Sequence, residues 1–338
     1  MAVAVLGLDI GGANLKAAHS SGVALLQPYA LWKNPDGLPA ALTHLVRQLP
    51  PYDRLAVTMT GELCDCFESK RQGVGVILAA LRTLAQRNAI RIWCTEGRFL
   101  NLDGALAAPL SVAAANWLAL ATFAGRFASS GPALLLDIGS TTTDIVPLCN
   151  GQPIPRGRSD PERLHKCELL YTGVSRTPVC ALLGAAAGAA EFFATTKDVY
   201  LILGDWPEKN SDRDTADGRP ATCAAAHARL ARMFCADRET CSERETQRLA
   251  LRVRNRQLRL LRRAVRRVSV SLPGLPATVI TAGSGEFLAE RLLSKYPDLV
   301  VHRFSLAEKL GPVISQAACA YALAILAAES SEYEEKRA

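Results

Sequence analysis

Apolar residues along this chain gather in short runs that end in glycine, and the most informative run comes first. Val3–Asp9 is short, apolar and β-branched, and it is closed by Gly11-Gly12. That pattern predicts a strand running into a tight turn. Asn14–Ser20 returns as a second strand, so the chain opens as a hairpin with glycines at its tip. The pattern then predicts a helix over Leu38–Gln48, a strand over Arg54–Met59 and a helix over Gly75–Asn88 that carries Val76, Leu78, Leu81 and Leu84. Ile90–Cys94 follows as a strand, and Ala107–Ala124, rich in helix formers, as a single helix.

The opening theme then recurs. Ala133–Leu136 is an apolar run ended by Asp137-Ile138-Gly139-Ser140-Thr141-Thr142-Thr143-Asp144 and followed by Ile145–Leu148. Asp9 and Asp137 stand 128 residues apart. One strand–turn–strand unit per half points to a duplicated fold, since a solenoid needs three or more short repeats. Beyond it, Val199–Leu203 is predicted as a strand, Pro207–Pro220 as a polar surface loop, and Glu243–Val268 as a long helix. Leu251, Leu258, Leu261, Val265 and Val268 form that helix's apolar stripe. Ala277–Thr281 reads as a buried strand leading into Ala282-Gly283-Ser284-Gly285, with a helix from Glu286 and a last helix over Gly311–Leu326.

Length and composition refine this picture without redirecting it. A chain of 338 residues implies two domains. The expected organisation is a first lobe over residues 1–130, a second over 131–328 with an insertion at about 150–245, and a frayed charged tail over 329–338. The net charge of +7 is local, because ten arginines fall between Arg244 and Arg267. That run lacks interleaved aromatics and has an apolar stripe, so it reads as a solvated helix face and not as a nucleic-acid site. Met1–Leu8 is too short to read as a secretory signal, and no apolar run reaches the ~20 residues of a membrane helix. Cys94, Cys180 and Cys319 sit singly in apolar surroundings, and Cys64-Asp65-Cys66 has the wrong spacing for a zinc knuckle. A cytoplasmic protein with reduced thiols is therefore expected.

The chemistry lies in the glycine turns. Backbone N–H donors can approach a phosphate closely where glycine permits it, and the divalent metals that accompany phosphates prefer carboxylates. Asp9 beside Gly11-Gly12 and Asp137 beside Gly139-Ser140-Thr141 supply both features twice. Thr142 and Thr143 add hydroxyl donors, and Asp144 is either a second carboxylate or a brace. A nucleotide or other anion could sit where the third turn, Gly283-Ser284-Gly285, opens a helix. Glu62, after Thr58–Gly61, is the positional candidate for a general base, with His165 behind it. Arg156, Arg158, His165 and Lys166 form a basic segment that reads as a solvated loop. No Gly-x-Ser-x-Gly elbow is present, which argues against a serine hydrolase.

Leu8–Lys16, Leu135–Ile145 and Thr281–Gly285 resemble the two phosphate motifs and the adenosine motif of the acetate kinase, sugar kinase, Hsp70 and actin superfamily. The resemblance implies an α/β class and a duplicated actin-like (ribonuclease H-like) fold, two lobes around a central cleft. It also places connecting helices at Ala107–Ala124 and Gly311–Leu326. More narrowly, Gly7–Lys16, Asp137–Asp144, Tyr171–Pro178 and Thr215–Pro220 resemble the hydantoinase/oxoprolinase-like proteins linked to tetrahydromethanopterin one-carbon transfer. Archaeal members make methanofuran, joining a furfuryl diphosphate to a tyramine phenol and releasing diphosphate.

That resemblance implies a diphosphate-releasing transferase that makes a methanofuran-like carrier for formaldehyde oxidation. Asp9, Asp137, Lys16 and Glu62 would be catalytic, and Asp9, Asp137 and Asp144 would hold Mg2+. Gly11, Gly12, Asn14, Gly139, Ser140, Thr141, Thr142, Gly283, Ser284 and Gly285 would cradle the diphosphate or a nucleotide. Arg176, Asp217 and Arg219 would meet substrate. The implied partners are small-molecule diphosphate and amine or phenol substrates, with no membrane, no nucleic acid, and room for a homo-oligomer. ATP is the less favoured cofactor. The alternatives are an ATP-dependent kinase or oxoprolinase-like amide hydrolase of the same fold, and a non-catalytic nucleotide sensor.

Overall fold

The computed structural model describes residues 3–84, 89–184, 187–299 and 302–335. The first sheet is built from β1 (Val5–Ile10), β2 (Asn14–His19), β3 (Ala24–Pro28), β4 (Arg54–Met59), β5 (Ile90–Trp93) and β6 (Phe99–Leu100), in the order β3-β2-β1-β4-β5-β6. The second contains β7 (Pro132–Ile138), β8 (Thr143–Cys149), β9 (Gln152–Pro153), β10 (Leu169–Leu170), β11 (Thr278–Ala282) and β12 (His302–Ser305). Its order is β10-β8-β7-β11-β12, with β9 pairing to β8.

Each sheet repeats one plan. A central antiparallel hairpin has a further antiparallel strand outside its second arm and two parallel strands beside its first. The repetition extends to the register. Asp9 faces Lys16 across β1 and β2, and Asp137 faces Asp144 across β7 and β8. At each tip a glycine donates to the carbonyl three residues on, Gly11 to Asn14 at 3.0 Å and Gly139 to Thr142 at 2.9 Å. The fold is α/β, a duplicated actin-like fold with two lobes, as the sequence predicts.

Each lobe has its own core. Leu8, Ile10, Leu42, Val57 and Ile77 are buried in the first, and Leu136, Ile138, Leu258, Leu261, Val265 and Leu288 in the second. A third apolar layer lies between the sheets, where Trp117, Leu120 and Phe123 meet Ala318, Ala322 and Leu323. The Asn116–Ala124 helix packs on β8 and β9, and the Ala318–Glu335 helix packs on β1, β2 and β4. A Cβ on Gly7 would stand 1.8 Å from the Ala320 carbonyl oxygen, so only glycine lets the last helix lie this close to β1. The two connecting helices thus sit where the resemblance placed them, but each is packed on the other half's sheet. The final helix, expected in the second lobe, belongs by packing to the first.

Several expectations change. The helix predicted over Ala107–Ala124 is broken into Leu102–Ala107, a 3-10 turn at Pro109–Ser111, and Asn116–Ala124, because Pro109 cannot continue the first piece. The last helix is likewise divided, into Pro312–Gln316 and Ala318–Glu335, and it runs past the expected fraying point at residue 329. The helix expected over Gly75–Asn88 starts at Lys70, capped by Ser69, and ends at Leu81; residues 85–88 lie outside the described residues. Val199–Leu203 is not a strand but the end of a helix, Thr196–Ile202, capped by a reciprocal Thr195–Asp198 box. Its side chains are buried all round, so its pattern has no period to distinguish helix from strand. On the long Glu243–Ser269 helix, Leu249 and Val253 continue the buried stripe while Leu251 faces solvent. Among the described residues, no helix is long and apolar enough to cross a membrane.

Candidate active site

The tips of the two hairpins face each other across a cavity of about 440 Å³. Asp9, Gly11, Gly12, Asn14, Lys16 and Glu62 line it from the first lobe, and Asp137, Gly139, Ser140, Thr141, Thr142, Asp144, Arg176 and Gly283 from the second. Among the described residues, the backbone N–H groups of Gly12, Ala13, Ser140, Thr141 and Thr142 have no acceptor within the protein. All five belong to cavity-lining residues. Two short tracts of unpaired donors on residues that line one space have the composition of an anion site of the kind that successive backbone amides provide.

The carboxylates beneath those donors are crowded. Burial raises Asp9 above its ordinary value, Lys16 pulls it back down, and Asp144 adds to the rise. Burial opposes the charge on Lys16, but Asp9, with Cys319, Asp137 and Asp144, outweighs it and holds the ammonium above its usual value. Asp137 is pushed up to about 7 by burial and then by Asp144, against the pull of Lys16. Asp144 is raised by burial although Arg163 opposes the shift. Two buried carboxylates, Asp9 and Asp144, and the half-buried Asp137 face two cations, Lys16 and Arg163, which leaves room for further positive charge when all three are ionised.

Asp144 is already engaged. Arg163 Nη1 donates to its Oδ1 at 2.8 Å, Nη2 donates to the Glu168 carbonyl at 3.0 Å, and the guanidinium lies 4.0 Å from the Trp117 ring centroid. Asp9 Oδ1, by contrast, is buried with no hydrogen-bond partner. Among the described residues, no group of three or more His, Cys, Asp or Glu side chains is close enough to hold a metal by itself. A site here would therefore rest on fewer protein ligands than the three carboxylates expected from the sequence.

The third turn is arranged differently from the expectation of an open anion site. Gly283 donates its N–H to Ser315 Oγ at 3.2 Å, Gly285 to the Ile138 carbonyl at 2.8 Å, and Glu286 to the Gly283 carbonyl at 3.4 Å. Gly283 adopts φ +89, and a Cβ there would lie 2.4 Å from Asp137 Oδ1. The turn thus buttresses the second hairpin. Gly283 lines the cavity, whereas Ser284 and Gly285 do not.

Glu62 and Arg176 stand at the rim. Glu62 is 1% exposed; Lys70 Nζ lies 3.7 Å from its Oε1, and its Oε2 has no partner. Burial pushes its carboxyl up to about 7, against the opposing pull of Lys70. The loop that carries Arg176 is pinned to the second turn: Ser175 and Arg176 donate to the Ser140 carbonyl at 3.0 and 2.9 Å. From there the guanidinium reaches across to lie 4.6 Å from the Trp32 ring centroid, with Nη1 buried and unpartnered.

The sequence profile of the hydantoinase/oxoprolinase family matches residues 53–329. The chain belongs to the hydantoinase/oxoprolinase family. It is 32% identical over 336 residues to the (4-{4-[2-(gamma-L-glutamylamino)ethyl]phenoxymethyl}furan-2-yl)methanamine synthase of Methanocaldococcus jannaschii, covering 96% of this chain and 98% of that one. The enzyme of the same name from Methanococcus vannielii is 32% identical over 200 residues, 57% of this chain and 89% of its own. Among solved structures, the activator of the 2-hydroxyisocaproyl-CoA dehydratase from Clostridium difficile with bound ADPNP aligns at 11% identity with a TM-score of 0.48. That alignment covers 98% of this chain and 97% of the activator. Component A of the Acidaminococcus fermentans (R)-2-hydroxyglutaryl-CoA dehydratase aligns at 9% identity and 0.49, covering 98% and 99%.

In this member of the family, two candidates from Thr215–Pro220 fall outside the cavity. Asp217 accepts from Arg229 Nη1 at 3.0 Å and from Arg232 at 3.4 Å, and Arg229, fully buried, also donates to Asp198 at 2.7 Å. That network ties the loop to the Cys223–Arg232 helix. The Arg219 side chain is 61% exposed beside Asp217. Arg158 is an exposed loop residue, as expected, and in addition donates to the Thr95 carbonyl of the first lobe at 2.8 Å. Pattern reading missed Trp32, Trp117, Arg163, Lys70 and Asp160, all brought to the site or its edge by long-range packing. Only the capping run Ser159-Asp160-Pro161-Glu162 carried a local signal, for a helix start.

Proposed function

We propose that this hydantoinase/oxoprolinase family member joins a furfuryl-type diphosphate to a tyramine-type phenol and releases diphosphate, making the ether of a methanofuran-like one-carbon carrier for tetrahydromethanopterin-linked formaldehyde oxidation. That the chain is an enzyme follows from its relatives, both named as synthases. The observation that carries the finer reading is the pair of unpaired donor tracts, Gly12-Ala13 and Ser140–Thr142, on opposite walls of one cavity. Five such donors suit a diphosphate, whose oxygens gain charge as the bond to carbon breaks. In the third turn the N–H groups of Gly283, Gly285 and Glu286 are bonded within the protein and only Gly283 lines the cavity, which supports a diphosphate ligand over ATP.

In the proposed reaction the phenol oxygen attacks the furfuryl carbon, and the bond from that carbon to the diphosphate oxygen breaks. The electron pair leaves with diphosphate, and the phenol proton passes to Glu62, a residue of the cavity lining whose Oε2 has no partner within the protein. Lys16 supplies a fixed positive charge against the leaving group, and Arg176 with Trp32 closes the rim. Mg2+ fits the surplus of negative charge and the unpartnered Asp9 Oδ1. It would be held by Asp9 and Asp137, since Mg2+ keeps several waters and commonly takes only one or two carboxylates beside substrate phosphates. When bound it would neutralise charge on the leaving oxygens.

The direct test incubates the purified protein with a furfuryl diphosphate, a tyramine-type acceptor and Mg2+, with and without ATP, following diphosphate release and ether product by mass spectrometry. Equal product with and without ATP is expected. ATP consumption without ether would overturn the reading. As a base, Glu62 must be ionised, so kcat/KM should rise with pH and level off above about 7. Asp137, also raised to about 7, contributes to the same limb, so the deciding quantity is the plateau: Glu62→Gln should lower kcat/KM about 10²–10⁴-fold, and a plateau unchanged from the parent would rule Glu62 out.

A further inference from the structure

Glu62 is joined to the other lobe by a two-step ionic contact. Lys70 Nζ, 3.7 Å from Glu62 Oε1, is also 2.9 Å from Asp160 Oδ2. Lys70 opens the first-lobe helix Lys70–Leu81, and Asp160 opens the second-lobe helix Asp160–Lys166. The contact therefore spans the cleft between lobes, and it lies beside a second bridge, Arg158 to the Thr95 carbonyl. The Lys70 and Asp160 side chains are 25% and 23% exposed while Glu62 is 1% exposed, so a partly exposed pair adjoins a buried acid. Cys64, Asp65, Cys66 and Glu68 are the other ionisable residues on the loop between Glu62 and Lys70. Burial, and then Cys66, pushes the Cys64 thiol up to about 11, which keeps it neutral near pH 7.

We propose that Lys70, tethered across the cleft by Asp160, is a positioning residue that sets the charge of Glu62, so that the base is ready only while the two lobes are together. This rests on the reading of Glu62 as the base. With the lobes together, Asp160 holds the ammonium against Glu62 and favours the carboxylate that accepts the phenol proton. With the lobes apart, Lys70 loses its anchor, its flexible stem carries the charge to solvent, and the buried Glu62 takes up a proton. Turnover outside the closed cleft is thereby disfavoured.

Asp160 gives the test its leverage, because the two ways it can act have opposite signs. Its own negative charge raises Glu62, so removing that charge alone would lower the Glu62 titration point. If its main effect is to hold Lys70, removing it must raise that point. The measurement is carboxyl titration by NMR on the full chain with glutamate labelled with carbon-13 at the side-chain carboxyl, the Glu62 signal being assigned with Glu62→Gln. Lys70→Met and Asp160→Asn should each move Glu62 upward, by about one pH unit or more for the lysine change. The double variant should go no further than Lys70→Met, and Lys70→Arg should stay near the parent. A downward move in Asp160→Asn overturns the tether, and should Lys70→Met fail to fold, Asp160→Asn decides by itself. Because the titration needs no substrate, missing ether product with the upward shifts intact would remove the proposed reaction and leave the tether standing.

Discussion

Asp137→Asn should lower ether formation by about 10²–10³-fold or more, the scale of losing one preorganised electrostatic group, while the fold persists. Asparagine keeps the shape that packs against Gly283 and removes only the charge. Asp137 is the instructive carboxylate because, unlike Asp144, it has no arginine committed to it, and so its charge is available to a ligand or metal. The stability prediction runs the other way. A carboxyl raised to about 7 from an ordinary 3.8 binds more protons folded than unfolded between those values, so parent stability falls as pH rises through that window. The variant lacks that loss, and its melting temperature relative to the parent should climb from pH 4 to pH 7. Full activity in Asp137→Asn would remove the residue from the mechanism. Asp9→Asn should behave alike in turnover.

Arg163→Met should destabilise the protein by about 3–5 kcal/mol, the cost of breaking a buried ion pair from one side. The arginine and Asp144 are 1% and 9% exposed, and the guanidinium also holds the Glu168 carbonyl and covers Trp117. With arginine gone, Asp144 is left buried beside Asp137 and Asp9 with only Lys16 for relief. Its carboxyl must then rise further, so the deficit should shrink as pH falls and Asp144 takes up a proton. Adding Asp144→Asn should restore much of the loss in chemical denaturation. A single-variant loss under about 1 kcal/mol, as for an exposed pair, would show that the contact is not a buried brace.

The hairpins were legible in the sequence because a strand, a glycine and a returning strand are local events, and their 128-residue repeat needed no tertiary information. Asp9, Lys16, Asp137 and Asp144 fall in the cavity for that reason. Val199–Leu203 was not legible as helix, since burial on every side erases the period on which pattern reading depends. Asp217 looked like a ligand group because a polar, glycine-containing loop gives no hint of Arg229 waiting beneath it. Trp32 meeting Arg176, and Lys70 meeting Asp160, depend on how two separately built lobes come together. No local spacing encodes that.

Positions 9 and 137 correspond, as do 16 and 144, yet lysine stands at 16 and aspartate at 144. The backbone frame is close to twofold, while the charges fixed to it are not. A diphosphate has two similar ends, and the amide tracts alone would accept it either way round. Lysine on one wall, with an arginine-bound aspartate at the matching place on the other, gives the cavity a polarity. For the furfuryl diphosphate of the proposed reaction, that polarity would sort the carbon-bearing end from the free end before any chemistry begins.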